Sequence, residues 1–90
     1  MTAISQDSIR QFLLAKYAEQ LTGMGLDPAQ IEDDFDFLLQ GVVDSFGILE
    51  MVSSIEDEFN VELDLGALDA EQMTILGPLT RFVAENARPK

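Results

Sequence analysis

Asp44 and Ser45 stand between a glycine-led β-branched stretch, Gly41-Val42-Val43, and a run in which apolar residues recur at helical spacing from Ile48 to Phe59. A serine hydroxyl becomes a nucleophile when a neighbour takes its proton. This sequence holds no histidine and no cysteine, and no lysine lies near Ser45 along the chain. Asp44 alone is a poor base for an alcohol at neutral pH. Any reaction at Ser45 must therefore draw its activating groups from another protein. The plainer reading of the pair is a helix cap, because short oxygen-bearing side chains accept the free N–H groups of a helix start. Those same groups favour an attached phosphate by about 0.3–1 kcal/mol at a surface. Gly47 removes a side chain that would crowd such a phosphate.

Composition narrows the function classes. Ninety residues with 47% apolar content make one folded domain, 1–90, large enough to need neither disulfides nor structural metals. Without cysteine there is no thiolate nucleophile and no zinc site of the usual kind; without histidine the commonest general base and metal ligand are missing. The net charge is −12, and no Lys or Arg occurs between Tyr17 and Thr80. Such a chain repels nucleic acid and anionic membrane surfaces. It attracts basic partners, by a field that salt screens over about 8 Å, although a charged surface also serves plain solubility. No run of eighteen apolar residues is present and the start does not read as a secretion signal, so a cytoplasmic monomer is expected.

The elements that position Asp44 and Ser45 follow from periodicity. A first helix starts near Ser5 and places Ile9, Leu13, Tyr17 and Leu21 on one face, with Ile4 and Ile9 as a staple; Thr22-Gly23-Met24-Gly25 ends it. A long connection runs from Thr22 to Val43, with Asp27-Pro28 starting a short helical turn. Phe35, Phe37, Leu38 and Leu39 are its expected anchors, among Glu32, Asp33, Asp34 and Asp36. That acidic cluster lacks the glycine and later glutamate of an EF-hand loop, so no metal site is expected. In the second helix Ile48, Met51, Val52, Ile55 and Phe59 share a face at about 100° per residue, and Phe46 falls nearly opposite with Glu50, Ser53 and Asp57. Asn60-Val61-Glu62-Leu63 breaks it. A short third helix over Leu65 to Met73 follows, capped by Asp64 or Asp69. A last helix has Pro78 near its start, Leu79, Phe82 and Val83 inward, and Pro89 at its end. No strand alternation persists. The sum is an all-α four-helix bundle with a long first loop and a short third helix.

Gly41-Val42-Val43-Asp44-Ser45-Phe46, then Leu49-Glu50, Ile55-Glu56-Asp57-Glu58-Phe59 and Val61-Glu62-Leu63, resembles the acyl carrier protein family over most of the chain. The resemblance implies that Ser45 receives 4′-phosphopantetheine from coenzyme A, through a transferase complex that holds magnesium, and that the arm's thiol carries a thioester. The absent cysteine fits, since the thiol comes with the arm. Asp44 looks like the aspartate before the modified serine, a cap and a contact to the transferase's metal. Phe46, Glu50, Ser53, Glu56 and Asp57 would form the partner-binding face. Phe46 stands where leucine is usual, Ser53 where methionine is frequent, and Gly77-Pro78 interrupts the start of the last helix. Asp44-Ser45-Phe46-Gly47 is more familiar from freestanding carriers of specialised pathways, D-alanyl and other aminoacyl carriers included.

The expected function is thus a non-catalytic carrier, shuttling thioester-linked acyl groups for fatty-acid, polyketide or related specialised biosynthesis. Its partners would be a phosphopantetheinyl transferase, an acyl- or aminoacyl-loading ligase, and acyl-transfer or condensing enzymes. An aminoacyl or peptidyl carrier is the near alternative. An unmodified acidic helical adaptor is the alternative of another class, and an enzyme working through carboxylates alone would have to dispense with the usual catalytic side chains.

Overall fold

The computed structural model describes residues 4–67 and 72–89. Helix α1 (Gln6–Lys16) starts on a reciprocal cap, in which the Ser5 hydroxyl accepts the Ser8 N–H and the Ser8 hydroxyl accepts the Ser5 N–H, each at 3.1 Å. Ile9, Leu13, Tyr17 and Leu21 are buried, as their four-residue spacing predicts. The predicted single helix is interrupted at Tyr17 (φ −105°, ψ 16°), and α2 (Ala18–Gly23) continues beyond it. The Leu21 N–H still reaches the Tyr17 carbonyl at 2.9 Å, so the inner stripe carries across the break. The Tyr17 ring there packs on Phe37, 5.6 Å between centroids.

The long connection is organised by hydrogen bonds rather than by helix. Asp27 accepts the Ala29 N–H and caps a 3₁₀ turn at Pro28–Gln30, as predicted. The Arg10 guanidinium then binds the Asp33 carboxylate and the Ile31 carbonyl. Residues 33–37 lie antiparallel to 74–77: Phe37 N–H donates to Thr74 at 2.8 Å, Leu76 N–H to Phe35 at 2.9 Å, and Gly77 N–H to Asp33 at 2.8 Å. Phe37 is fully buried and Phe35 meets it edge-on. Leu38 and Leu39, expected as further anchors, are instead exposed. The two phenylalanines suffice because the paired backbone already fixes the loop.

Helix α4 (Leu76–Asn86) has no side-chain cap; the loop carbonyls of Phe35 and Asp33 take its first N–H groups. A Cβ on Gly77 would lie 2.7 Å from the Asp33 Cβ, so Gly77 is what lets the loop come this close. Gly77-Pro78 thus opens the helix instead of interrupting it. Gln6 joins α1 to α4, donating to the Gly77 carbonyl at 3.3 Å and the buried Thr80 hydroxyl at 3.2 Å. Leu79 and Val83 are buried and Phe82 packs beside them.

Helix α3 (Ser45–Phe59) buries Ile48, Met51, Val52 and Ile55 and stops at Asn60 in the left-handed region (φ 55°). Strand β1 (Val61–Glu62) then pairs antiparallel with β2 (Arg88–Pro89), Glu62 opposite Arg88. This short pairing has no alternation to announce it. Helix α4 accordingly ends at Asn86, before Pro89 is reached. Of the predicted third helix, a 3₁₀ turn at Leu65–Ala67 is present, with Asp64 accepting the Gly66 N–H at 3.0 Å. Asp69 and the rest of 68–71 lie outside the described residues. Among the described residues the fold is an all-α bundle with one minute strand pair, and two of the four α-helices come from the predicted first one. Among the described residues no helix is long and apolar enough to cross a membrane.

Gly77→Ala should destabilise the protein by about 1–3 kcal/mol, because loop or helix must yield to the new methyl. A lower urea midpoint at unchanged slope is the expected reading.

Candidate functional site

The approach to α3 is built around Asp36. Its carboxylate accepts the N–H groups of Leu38 at 2.9 Å and Leu39 at 3.0 Å, and the Thr74 hydroxyl. Partial burial pushes this carboxyl up, but the bonds from Leu39, Thr74 and Leu38 outweigh it and hold the group below the ordinary carboxylate range. The chain turns back through Gln40 N–H to Asp36 (3.0 Å) and Gly41 N–H to Leu38 (3.1 Å), with Gly41 at φ +80°, where a side chain would be strained. Val42 and Val43 then both donate to the Phe37 carbonyl, at 2.9 and 3.2 Å. The buried Phe37 therefore sets where the bent lead-in reaches Asp44.

Asp44 is extended and caps α3: its Oδ1 accepts the Gly47 N–H at 2.7 Å, while its carbonyl accepts the Ile48 N–H at 3.1 Å. Ser45 is the first helical residue and is exposed, so its hydroxyl opens to solvent at the positive end of a fifteen-residue helix. A Cβ on Gly47 would lie 2.9 Å from the Val43 Cβ and 3.3 Å from Asp44 Oδ1. Packing under the helix start is thus a reason for glycine at this position. Among the described residues no three acidic side chains converge to hold a metal ion. Chemically the site offers an exposed serine at a helix start whose field favours an attached anion.

The outward face of α3 matches its expected residues unevenly. Phe46 is 83% exposed, forgoing the roughly 1.5–3 kcal/mol its burial would give. Glu50, Ser53 and Asp57 are exposed along the same side, and Leu49 is 55% exposed at its margin. Glu56 is different: half-buried, it accepts the Leu63 N–H at 2.9 Å and helps hold the corner after α3. Glu50 also faces an open polar groove of about 270 Å³ with Tyr17, Gln20, Val43, Asp44 and Gly47. Burial first, and the Glu50 charge second, push the Tyr17 phenol up. The exposed turn of Leu38 and Leu39 is the feature that sequence reasoning missed. Asp36 followed by Gly41 was its available signal, an Asx-type turn closed by a glycine.

Residues 11–76 match the family model described as the phosphopantetheine attachment site. Among curated proteins, an acyl carrier protein of Bradyrhizobium sp. strain ORS 278 is 31% identical over 65 residues, covering 72% of this chain and 80% of that one. The acyl carrier protein of Nitrobacter hamburgensis gives the same identity and coverage. That of Helicobacter pylori strain J99 is 28% identical over 72 residues, covering 80% of this chain and 86% of its own. No solved structure matches the chain.

Two substitutions separate capping from display. Asp44→Ala should cost about 0.5–2 kcal/mol of stability, the range for a lost N-cap. Phe46→Ala should stay within about 0.5 kcal/mol of wild type, as for other surface changes. Denaturant melts of the two variants side by side give the comparison, and a large loss at Phe46 would place that ring in the core.

Proposed function

The chain belongs to the acyl carrier protein family, and on that premise we propose that Ser45 bears its phosphopantetheine arm. The protein is a non-catalytic carrier with a covalent 4′-phosphopantetheine group, used by a phosphopantetheinyl transferase and by acyl-handling enzymes. The observation that carries the assignment to Ser45 is its exposed hydroxyl at the first position of a capped helix, inside the matched segment.

The serine oxygen would form a bond to the phosphorus that carries pantetheine in coenzyme A. The pyrophosphate P–O bond breaks, adenosine 3′,5′-bisphosphate leaves, and the hydroxyl proton passes to a base of the transferase. The helix start favours the negative phosphodiester that results. Asp44 keeps the helix start in place and has a second carboxylate oxygen for the transferase's magnesium. Once attached, the arm supplies a thiol that holds cargo as a thioester.

The cargo in this reading is an acyl group, which the names of the curated relatives support, in fatty-acid, polyketide or related specialised biosynthesis. Asp44-Ser45-Phe46-Gly47 favours the second reading, an aminoacyl or peptidyl carrier. In either case the protein works as a monomeric single domain in the cytoplasm, served by a loading ligase and by acyl-transfer or condensing enzymes. Phe46, Glu50, Ser53 and Asp57, with Glu56 at the margin, form the face that basic patches on these enzymes meet. Exposed ion pairs contribute about 0–1 kcal/mol each, which suits brief docking.

Incubation with coenzyme A, magnesium and a broad-specificity transferase should add one phosphopantetheine per chain by intact mass, and none to Ser45→Ala. No gain in wild type would favour the unmodified adaptor. The mass of protein isolated from its native cell, cargo attached, separates acyl from aminoacyl loading. Glu50→Lys should raise the transferase's KM several-fold at low salt, with the difference shrinking as screening increases. An unchanged KM at low salt would remove Glu50 from the docking face.

A further inference from the structure

We infer that the groove between the α1–α2 junction and the start of α3 seats the first part of the phosphopantetheine arm, with Lys16 at its phosphodiester. The inference rests on Ser45 being the attachment site.

The groove measures about 270 Å³; Lys16, Tyr17 and Gln20 line it from the α1–α2 side, Asp44, Gly47 and Glu50 from the α3 side. Val42 and Val43, both half-buried, supply its apolar part. It starts beside the serine, because Asp44 is the chain neighbour of Ser45, about 3.8 Å away between Cα atoms.

Tyr17 marks the groove as a binding surface. The residue is only 6% exposed, yet among the described residues no hydrogen bond uses its hydroxyl. No side-chain oxygen there is both sealed from solvent and unpartnered, so the hydroxyl opens into the groove it lines. Burial, then the Glu50 charge, push the phenol up, which keeps it a donor at neutral pH. Lys16 is the second mark. Among the described residues no ion pair holds its ammonium, which lies 5.6 Å from the centroid of the Tyr17 ring. No other basic side chain lines the groove, and no Lys or Arg occurs between Tyr17 and Thr80. An anion arriving at Ser45 is repelled by Asp44 and Glu50, and Lys16 is the groove's only cation to offset them.

The chemistry of the arm fits these side chains. Outward from the serine it carries a phosphodiester, a carbon with two methyls, a hydroxyl, two amides and the thiol. Lys16 suits the phosphodiester and Val42 with Val43 the methyls. Tyr17 and Gln20 can donate to amide carbonyls, and Glu50 can accept an amide N–H. Pockets that enclose a whole drug-sized molecule begin at about 300 Å³. This groove is smaller and open, so it takes a stretch of the arm and leaves thiol and cargo outside. Tethering supplies an effective concentration on the order of millimolar, enough for contacts too weak to hold free pantetheine. Phe46, Ser53 and Asp57 do not line the groove, so a seated arm leaves that part of the docking face uncovered.

The experiment is NMR of the apo and holo proteins, the holo form made with a broad-specificity transferase and checked by intact mass. Tyr17 is the single tyrosine, so its ring signals identify themselves. At low salt, nuclear Overhauser effects should join the arm's paired methyls to the Tyr17 ring and the Val43 methyls. The Gln20 side-chain amide should shift between apo and holo. Lys16→Gln, whose apo spectrum should otherwise match wild type, should gain the same mass and lose most of these effects. Lys16→Arg should keep them, and added salt should fade them in wild type. Their absence from the wild-type holo protein, or their survival in Lys16→Gln, would overturn the inference and leave the carrier reading intact, since the mass still shows the arm. Failure of wild type to gain mass would instead defeat the attachment at Ser45.

Discussion

The pairing of 33–37 with 74–77 is the constraint on which the rest of this small fold depends. It converts a long acidic connection into a fixed layer, supplies the carbonyls that cap α4, and sets Phe37 in the core. From Phe37 the order passes to Val42 and Val43, and from them to Asp44 and α3. Gly77 is the point where this becomes possible, because any side chain there would meet Asp33. Arg10 and Gln6 hold the same junction to α1 from the other side.

The serine inherits its accessibility from that arrangement. A helix start needs its N–H groups satisfied, and Asp44 does this with a side chain that points back into the first turn and leaves Ser45 outward. The inner face of α3 fills the core with Ile48, Met51 and Ile55, while Phe46 and Leu49 stay outside. The same helix thus anchors the bundle with one face and leaves its serine-bearing start at the surface. That division suits a protein that does no chemistry of its own.

Much of this was legible in the chain. The four-residue spacing of Ile9 to Leu21, the face of Ile48 to Ile55, the Asp44 cap and the exposure of Phe46 all follow from local rules, because each depends on neighbours within a turn or two. What escaped depends on partners far apart in sequence. Leu38 and Leu39 looked like anchors since hydrophobicity alone does not say which side of a turn faces water; the carboxylate of Asp36 and the backbone of Thr74 decide it. The β1–β2 pair is two residues long on each side, too short for alternation. Gly77 has the look of an interruption in sequence, and only the close approach of Asp33 gives it a structural reason. The bond from Leu63 N–H to Glu56 reaches across a corner that periodicity does not foresee.

Leaving Leu39, Phe46 and Leu49 uncovered gives the protein sticky surface, and the −12 charge acts as its colloidal guard. The guard weakens when ions screen it and vanishes as carboxyl groups take up protons around pH 4. Concentrated stocks in strong salt or mild acid would therefore begin to cluster through these apolar side chains.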